Sequence, residues 1–205
     1  MSYPAEILPQ SEAWAANTEI NTLRNKLLDL LCQTAYKEGD FLLSSGQPSK
    51  YYINCKLVTL HPQGALATGR LFLAMLPADT QAVAGLTLGA DPIVSAVSVV
   101  SAYENHPIPG LIIRKEAKGH GTQAYIEGPI LPEGAKVVVL EDVVTTGQSA
   151  MKAVERLRNA GYTVEQVISL IDRKQGGAEF YQSQGLKFET VYGIEDIQQR
   201  YGESK

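Results

Sequence analysis

The sequence is poor in the features that mark several protein classes. Its 205 residues hold two cysteines, Cys32 and Cys55. That is too few for a disulfide framework, and their spacing is not that of metal ligands. Both are expected as reduced, partly buried thiols. Positive charge is not in excess: 18 Lys and Arg against 22 Asp and Glu give a formal net charge of -4. A general nucleic-acid binder needs a broad basic face, so no nucleic-acid partner is expected, and any anion site must be a local concentration of cations. No run of about 18 apolar residues is present, which leaves no candidate bilayer span and no membrane partner. Met1 to Trp14 has no basic segment followed by an apolar core, so it does not read as a secretion signal, and a cytoplasmic location is expected. Internal repeats, low-complexity tracts and a Gly-Lys-Ser/Thr phosphate loop are likewise missing.

What remains is an ordinary globular composition, 44% hydrophobic and 20% charged, in a chain long enough to bury a sizeable core. Ile20, Leu23, Leu27, Leu28, Leu31 and Ala35 recur at helical spacing and predict an amphipathic helix over 18–36, with Asn17 or Thr18 as its cap. Segments 41–46 and 50–54 read as a hairpin around Gly46-Gln47-Pro48, and 64–76 as an Ala- and Leu-rich helix. Beyond that, apolar strands at 82–86, 110–113, 136–140 and 164–171 alternate with helices at 91–103 and 150–159, the last closed by Gly161. Continuous apolar strands separated by helices predict an α/β fold, a parallel central sheet flanked by helices. Residues 1–60 are expected to form a small helix-hairpin hood, and 61–205 one compact core.

Each predicted strand ends in polar or charged residues: Thr87, then Arg114-Lys115, then Glu141-Asp142, then Asp172-Arg173. A parallel sheet brings such ends to one edge, where open α/β sheets bind ligands. After Glu141-Asp142 comes Val143-Val144-Thr145-Thr146-Gly147-Gln148-Ser149, small residues leading into a helix. The first N–H groups of that helix lack intrahelical partners, so the loop can cradle an anion. An ordinary helix start with Ser149 as the cap is the competing reading. Adjacent acids at a buried strand end repel unless something uses them. A bend after Leu140 would aim both at the hydroxyls of one ribose, whereas a two-carboxylate metal clamp is geometrically awkward, so no metal ligands are assigned.

This order of strand, two acids, hydroxyls and glycine resembles the phosphoribosyl pyrophosphate signature of type I phosphoribosyltransferases. Arg114-Lys115-Glu116-Ala117-Lys118-Gly119-His120-Gly121 resembles the mobile-loop motif of orotate phosphoribosyltransferases, Ile168 to Arg173 their strand ending in Asp-Arg, and Phe41 to Gly46 their base-roofing hairpin. The resemblance spans about Leu23 to Val191 and implies the type I phosphoribosyltransferase fold, with residues 61–205 as the donor-binding core. It implies that Glu141 and Asp142 hold the ribose and that Thr145 to Ser149, with Val143 and Val144, hold the 5-phosphate. Arg114, Lys115, Lys118 and His120 would meet the diphosphate, Lys118 and Asp142 being catalytic, while Thr145 and Arg173 would meet orotate. Magnesium carried mainly by the substrate's diphosphate, and a homodimer whose mobile loop reaches the neighbouring site, are also implied. Relatives often carry Lys at the place of Ser44 and Tyr-Lys at the place of Leu88-Gly89. A phosphoribosyltransferase for another base, or a donor-sensing regulator, are the alternatives. Among local acids, Glu116 alone is counted against the three cations of the mobile-loop motif.

Overall fold

A computed structural model of the chain describes residues 13–42, 48–118 and 125–205. The first helix, α1 (Ile20–Leu30), begins later than the apolar spacing alone suggests. Glu19 caps it, its carboxylate accepting from the N–H of Asn21 at 3.0 Å and of Thr22 at 3.3 Å. A π-helical turn, Leu31–Ala35, continues α1, and β1 (Tyr36–Leu42) starts at Tyr36, ahead of the expected Phe41. Tyr36 is buried between the rings of Tyr51 and Tyr201, which explains the early start. β1 pairs antiparallel with β2 (Pro48–Ile53), so the expected hairpin is present; Ser44 and Gly46 lie outside the described residues.

Next come the short α2 (Lys56–Thr59) and α3 (Pro62–Met75). His61 caps α3, its Nδ1 accepting from the N–H of Gly64 at 3.3 Å, with Pro62 at the first helical position. The remaining elements are β3 (Ala82–Leu86), α4 (Asp91–Tyr103), β4 (Gly110–Ile113), β5 (Ile126–Glu127), β6 (Val137–Val144), α5 (Gln148–Asn159), β7 (Gln166–Asp172), α6 (Gly177–Ser183), β8 (Lys187–Gly193) and α7 (Ile194–Glu203). The main sheet has the order β5-β4-β3-β6-β7-β8. All its pairings are parallel except β4 with β5, which closes one edge. α2, β5, β8, α6 and α7 were not foreseen as elements.

Alternation along the strands sends successive side chains into two cores. Val83, Val138, Leu140, Ile168 and Leu170 pack with α1, α3, α4 and α7, while Ala82, Ala84, Val137, Val139 and Val167 pack with α5 and Tyr181. Each fully buried Leu, Ile or Val contributes about 1.5–3 kcal/mol. The sheet is therefore covered on both faces, as the continuous apolar strands predicted. From β3 the chain turns to β4 on one side, and later strands extend on the other. The switch lies between β3 and β6, and the crevice beyond the carboxyl ends of that pair is where this topology places ligands.

Candidate active site

The carboxyl ends of β4, β3, β6 and β7 are neighbours along one sheet edge, so the four polar strand ends share a rim. β6 does not stop at Leu140: Val143 and Val144 are β-branched and pair with Ile171 and Asp172 of β7. Glu141 and Asp142 are thus inside the ladder rather than beyond a bend. Glu141 is buried, its Oε2 has no hydrogen-bond partner, and its Oε1 accepts from the N–H of Asp142 at 3.3 Å. Burial pushes its carboxyl well above the ordinary range, and the charge of Asp142 and a hydrogen bond between the two acids push the same way. Lys115 is near enough to oppose this shift.

A recess of about 70 Å³ is lined by Glu141, Val143, Val144, Thr145, Thr146, Gly147, Gln148, Ser149 and Tyr181. Its floor depends on Gly147. With φ at +84°, Gly147 lies flat on the rings below, where a Cβ would come 2.8 Å from Phe180 Cδ1 and 3.0 Å from Tyr181 Cε1. Gly147 precedes the first turn of α5, and no side chain caps that helix, Ser149 included. The free N–H groups and the helix dipole face the recess, which suits a phosphate. Tyr181, buried with its hydroxyl unpartnered, is a member of this recess that sequence reading missed. The hydroxyl's proton is held more tightly than usual by burial, with Glu141 and Asp172 adding to the effect.

Asp142 faces a different neighbour. Its Oδ1 accepts from the N–H of Val143 at 2.9 Å, and a Cβ on Gly89 would fall 2.5 Å from that same oxygen. The absence of a side chain at Gly89 therefore lets the loop after β3 close over Asp142. Leu88 beside it is exposed.

Arg173 stands next to the end of β6, its N–H donating to Val144 O at 2.9 Å. Its guanidinium reaches the hood: Nε donates to the Tyr51 hydroxyl at 2.9 Å, a terminal nitrogen donates to Ser49 Oγ at 3.1 Å, and the group lies 4.5 Å from the Tyr51 ring centroid. The ion pair of Asp172 is with Lys174, at 3.3 Å, which leaves Arg173 to the hood. Ser49 and Tyr51 were not singled out from sequence, although their i, i+2 spacing puts them on one face of β2.

The basic segment divides. Arg114 pairs with Glu127 at 3.0 Å, and Lys118, with 72% of its side chain exposed, lies 4.0 Å from the same carboxylate. Glu127, folded back on β5 beside β4, is thus the acid these cations meet, which sequence order concealed, while Glu116 offers Arg114 Nε its backbone carbonyl at 3.3 Å. The structure does not bring Arg114 or Lys118 onto the acids of β6. His120, Gly119 and Gly121 lie outside the described residues. Also among the described residues, no group of three His, Cys, Asp or Glu side chains is placed to hold a metal ion, and no helix is long and apolar enough to cross a membrane.

A family model, the phosphoribosyl transferase domain, matches residues 83–189, just over half of the chain. An orotate phosphoribosyltransferase of Nostoc sp. is 78% identical over 203 residues, 99% of this chain and 98% of that protein. The chain belongs to the orotate phosphoribosyltransferase family. Another member, from Synechocystis sp., is 73% identical across 87% of this chain and 90% of its own. Among solved structures, the Mycobacterium tuberculosis orotate phosphoribosyltransferase in complex with 5-phospho-alpha-D-ribosyl 1-diphosphate superposes with a TM-score of 0.72 at 33% identity, covering 86% of this chain and 99% of that one. The type I phosphoribosyltransferase fold expected from the strand-end motifs is therefore the fold of this chain.

Proposed function

We propose that this chain transfers the phosphoribosyl group of 5-phospho-alpha-D-ribose 1-diphosphate to N1 of orotate, giving orotidine 5'-phosphate and diphosphate in de novo pyrimidine biosynthesis. One observation carries the choice of base. Arg173, a planar fork of N–H donors suited to a carboxylate, is fixed by its own backbone to the strand that bears the ribose acids and leads into the phosphate loop. Orotate has the carboxylate that this fork fits; uracil and hypoxanthine do not.

In this reading the free N–H groups from Gly147 to Ser149, with the hydroxyls of Thr145 and Thr146 and the backbone of Val143 and Val144, take the 5-phosphate. Asp142 and Glu141 accept from the ribose hydroxyls. As the bond from the anomeric carbon to the diphosphate oxygen lengthens, positive charge grows on the ribose and Asp142 stabilises it from below. The electron pair leaves with the diphosphate, whose charge is met by Lys118, with Arg114, Lys115 and His120. Lys118 and Arg114 exchange Glu127 for the diphosphate when the donor binds. N1 of orotate, held by Arg173 and Thr145 beneath the hood, then attacks the ribose carbon. The protein's contribution is positioning and electrostatics. Magnesium held mainly by the donor's diphosphate would supply further neutralisation of its charge, a hard cation suiting phosphate oxygens.

The working form is a cytoplasmic homodimer. Leu60, Leu88 and Val99 are 68%, 69% and 68% exposed around an apolar groove between α2, α3 and α4. A second copy covering this face would bury it, and in the dimer the basic segment after β4 would serve the neighbouring subunit's site. The test is direct: with magnesium and donor present, orotate absorbance falls while uracil and hypoxanthine are unchanged. Equal turnover of a purine would refute the assignment of the base.

A further inference from the structure

Arg173 carries the proposed choice of base, and the hood already occupies one edge of its guanidinium. Nε donates to the Tyr51 hydroxyl at 2.9 Å and Nη2 to Ser49 Oγ at 3.1 Å. Those two nitrogens form the side edge of the planar fork. The end edge, Nη1 with Nη2, is therefore the paired-donor face left for a carboxylate. Both partners are themselves held. Ser49 Oγ donates its own proton to Tyr51 O at 2.7 Å, which fixes it as an acceptor towards Arg173. The Tyr51 ring has the guanidinium carbon 4.5 Å from its centroid and stacks at 5.8 Å on the buried Tyr36. Tyr36 in turn meets the edge of Tyr201, on α7, at 4.9 Å. Tyr51 is thus braced by a row of rings while it holds an arginine from the end of β7.

We propose that Tyr51, with Ser49, is a specificity-determining positioning residue: by occupying the side edge of Arg173 it fixes the direction in which a carboxylated base is gripped. Neither hydroxyl has to touch the base. Without them the long arginine side chain would sample many rotamers, and that freedom would be lost again each time a base is bound. Hydroxyls suit this task better than a carboxylate would, because they hold the fork without neutralising the charge that orotate needs. The inference rests on the proposed reaction, in which Arg173 meets orotate.

The experiment compares wild type, Tyr51→Phe, Arg173→Gln and the double variant by steady-state kinetics for both substrates, circular dichroism melts and calorimetric titration with orotate. Tyr51→Phe keeps the ring and its stacking and removes only the acceptor of Nε. Expected is a rise in orotate KM on the order of 10-fold, the scale of one hydrogen bond to a charged group. Donor KM should stay within about two-fold, with Tm unchanged. Because Tyr51 acts through Arg173, adding Tyr51→Phe to Arg173→Gln should change orotate KM by no more than about two-fold. A full further loss in the double variant would overturn the proposal by placing Tyr51 on the base itself. An unchanged orotate KM in Tyr51→Phe would overturn it too, and so would equal rises for both substrates with a lowered Tm, leaving only a fold effect. Failure of the wild type to consume orotate would instead refute the reaction itself. The titration then decides: weaker orotate binding in Tyr51→Phe than in wild type upholds the grip, and equal binding overturns it.

Discussion

Replacing Gly147 by Ala isolates the physical basis of the phosphate loop, because the chain contains its own control. Gly147 and Gly134 both adopt left-handed backbone, at φ of +84° and +78°. Around Gly134 nothing lies within 4 Å of an added Cβ, whereas at Gly147 the rings of Phe180 and Tyr181 lie at 2.8–3.0 Å. Gly134→Ala should therefore cost only the left-handed penalty, about 1–2 kcal/mol. Gly147→Ala should cost that amount plus overpacking against a buried ring, about 1–3 kcal/mol more. At about 2–4 °C per kcal/mol for a chain of this length, Tm falls by about 2–8 °C for Gly134→Ala and about 4–20 °C for Gly147→Ala. Circular dichroism melts supply the comparison. Donor KM, read from orotate absorbance, should rise only in Gly147→Ala, because only there does the loop move off its N–H geometry. Equal Tm losses in the two variants, or an unchanged donor KM in Gly147→Ala, would refute the reasoning.

Lys118→Ala should lower kcat on the order of 100-fold, the cost of losing one charge-stabilising donor, while Tm holds because that side chain is 72% exposed; an unchanged kcat removes it from the mechanism. Arg173→Gln should raise the KM for orotate on the order of 10- to 100-fold, as losing a charged hydrogen-bond pair does, with donor KM little affected; the reverse split would reassign Arg173 to the donor. The buried Glu141 carboxyl lies above its ordinary 4.5, so the folded chain keeps a proton that the unfolded chain releases. The stability Glu141 confers is complete below that ordinary value and is lost as pH rises towards its folded pKa, so the Tm of Glu141→Gln relative to wild type should grow as pH rises above the ordinary carboxyl range. A gap that does not change with pH contradicts the burial argument.

The parallel sheet was legible because its strands are buried on both faces and so are apolar without interruption, as at Val137 to Leu140. β8 was not, since its outer half is only partly buried and Lys187 and Glu189 pair with each other along it. The strand-end residues of the site could be read where function needs residues close in sequence, as in Glu141 to Ser149. Partners brought in by folding could not: Ser49 and Tyr51 come from the hood, Glu127 from an edge strand and Tyr181 from α6. The extent of β6 was misjudged because two charged residues read as a strand end, although the valines after them continue the ladder. Likewise, the cap of α1 came from the longer Glu19 rather than from Asn17 or Thr18.

Hydrogen exchange followed by mass spectrometry, with and without the donor and magnesium, tests most directly whether the sheet's carboxyl rim holds the phosphoribosyl group. Protection should appear at the amides of Thr145 to Ala150 and of Arg114 and Lys115. It should be missing from the recess at the opposite end of the sheet, lined by Asp79, Lys136, Glu165 and Gln166. Protection confined to that opposite recess, with the loop after β6 exchanging as before, would contradict the account.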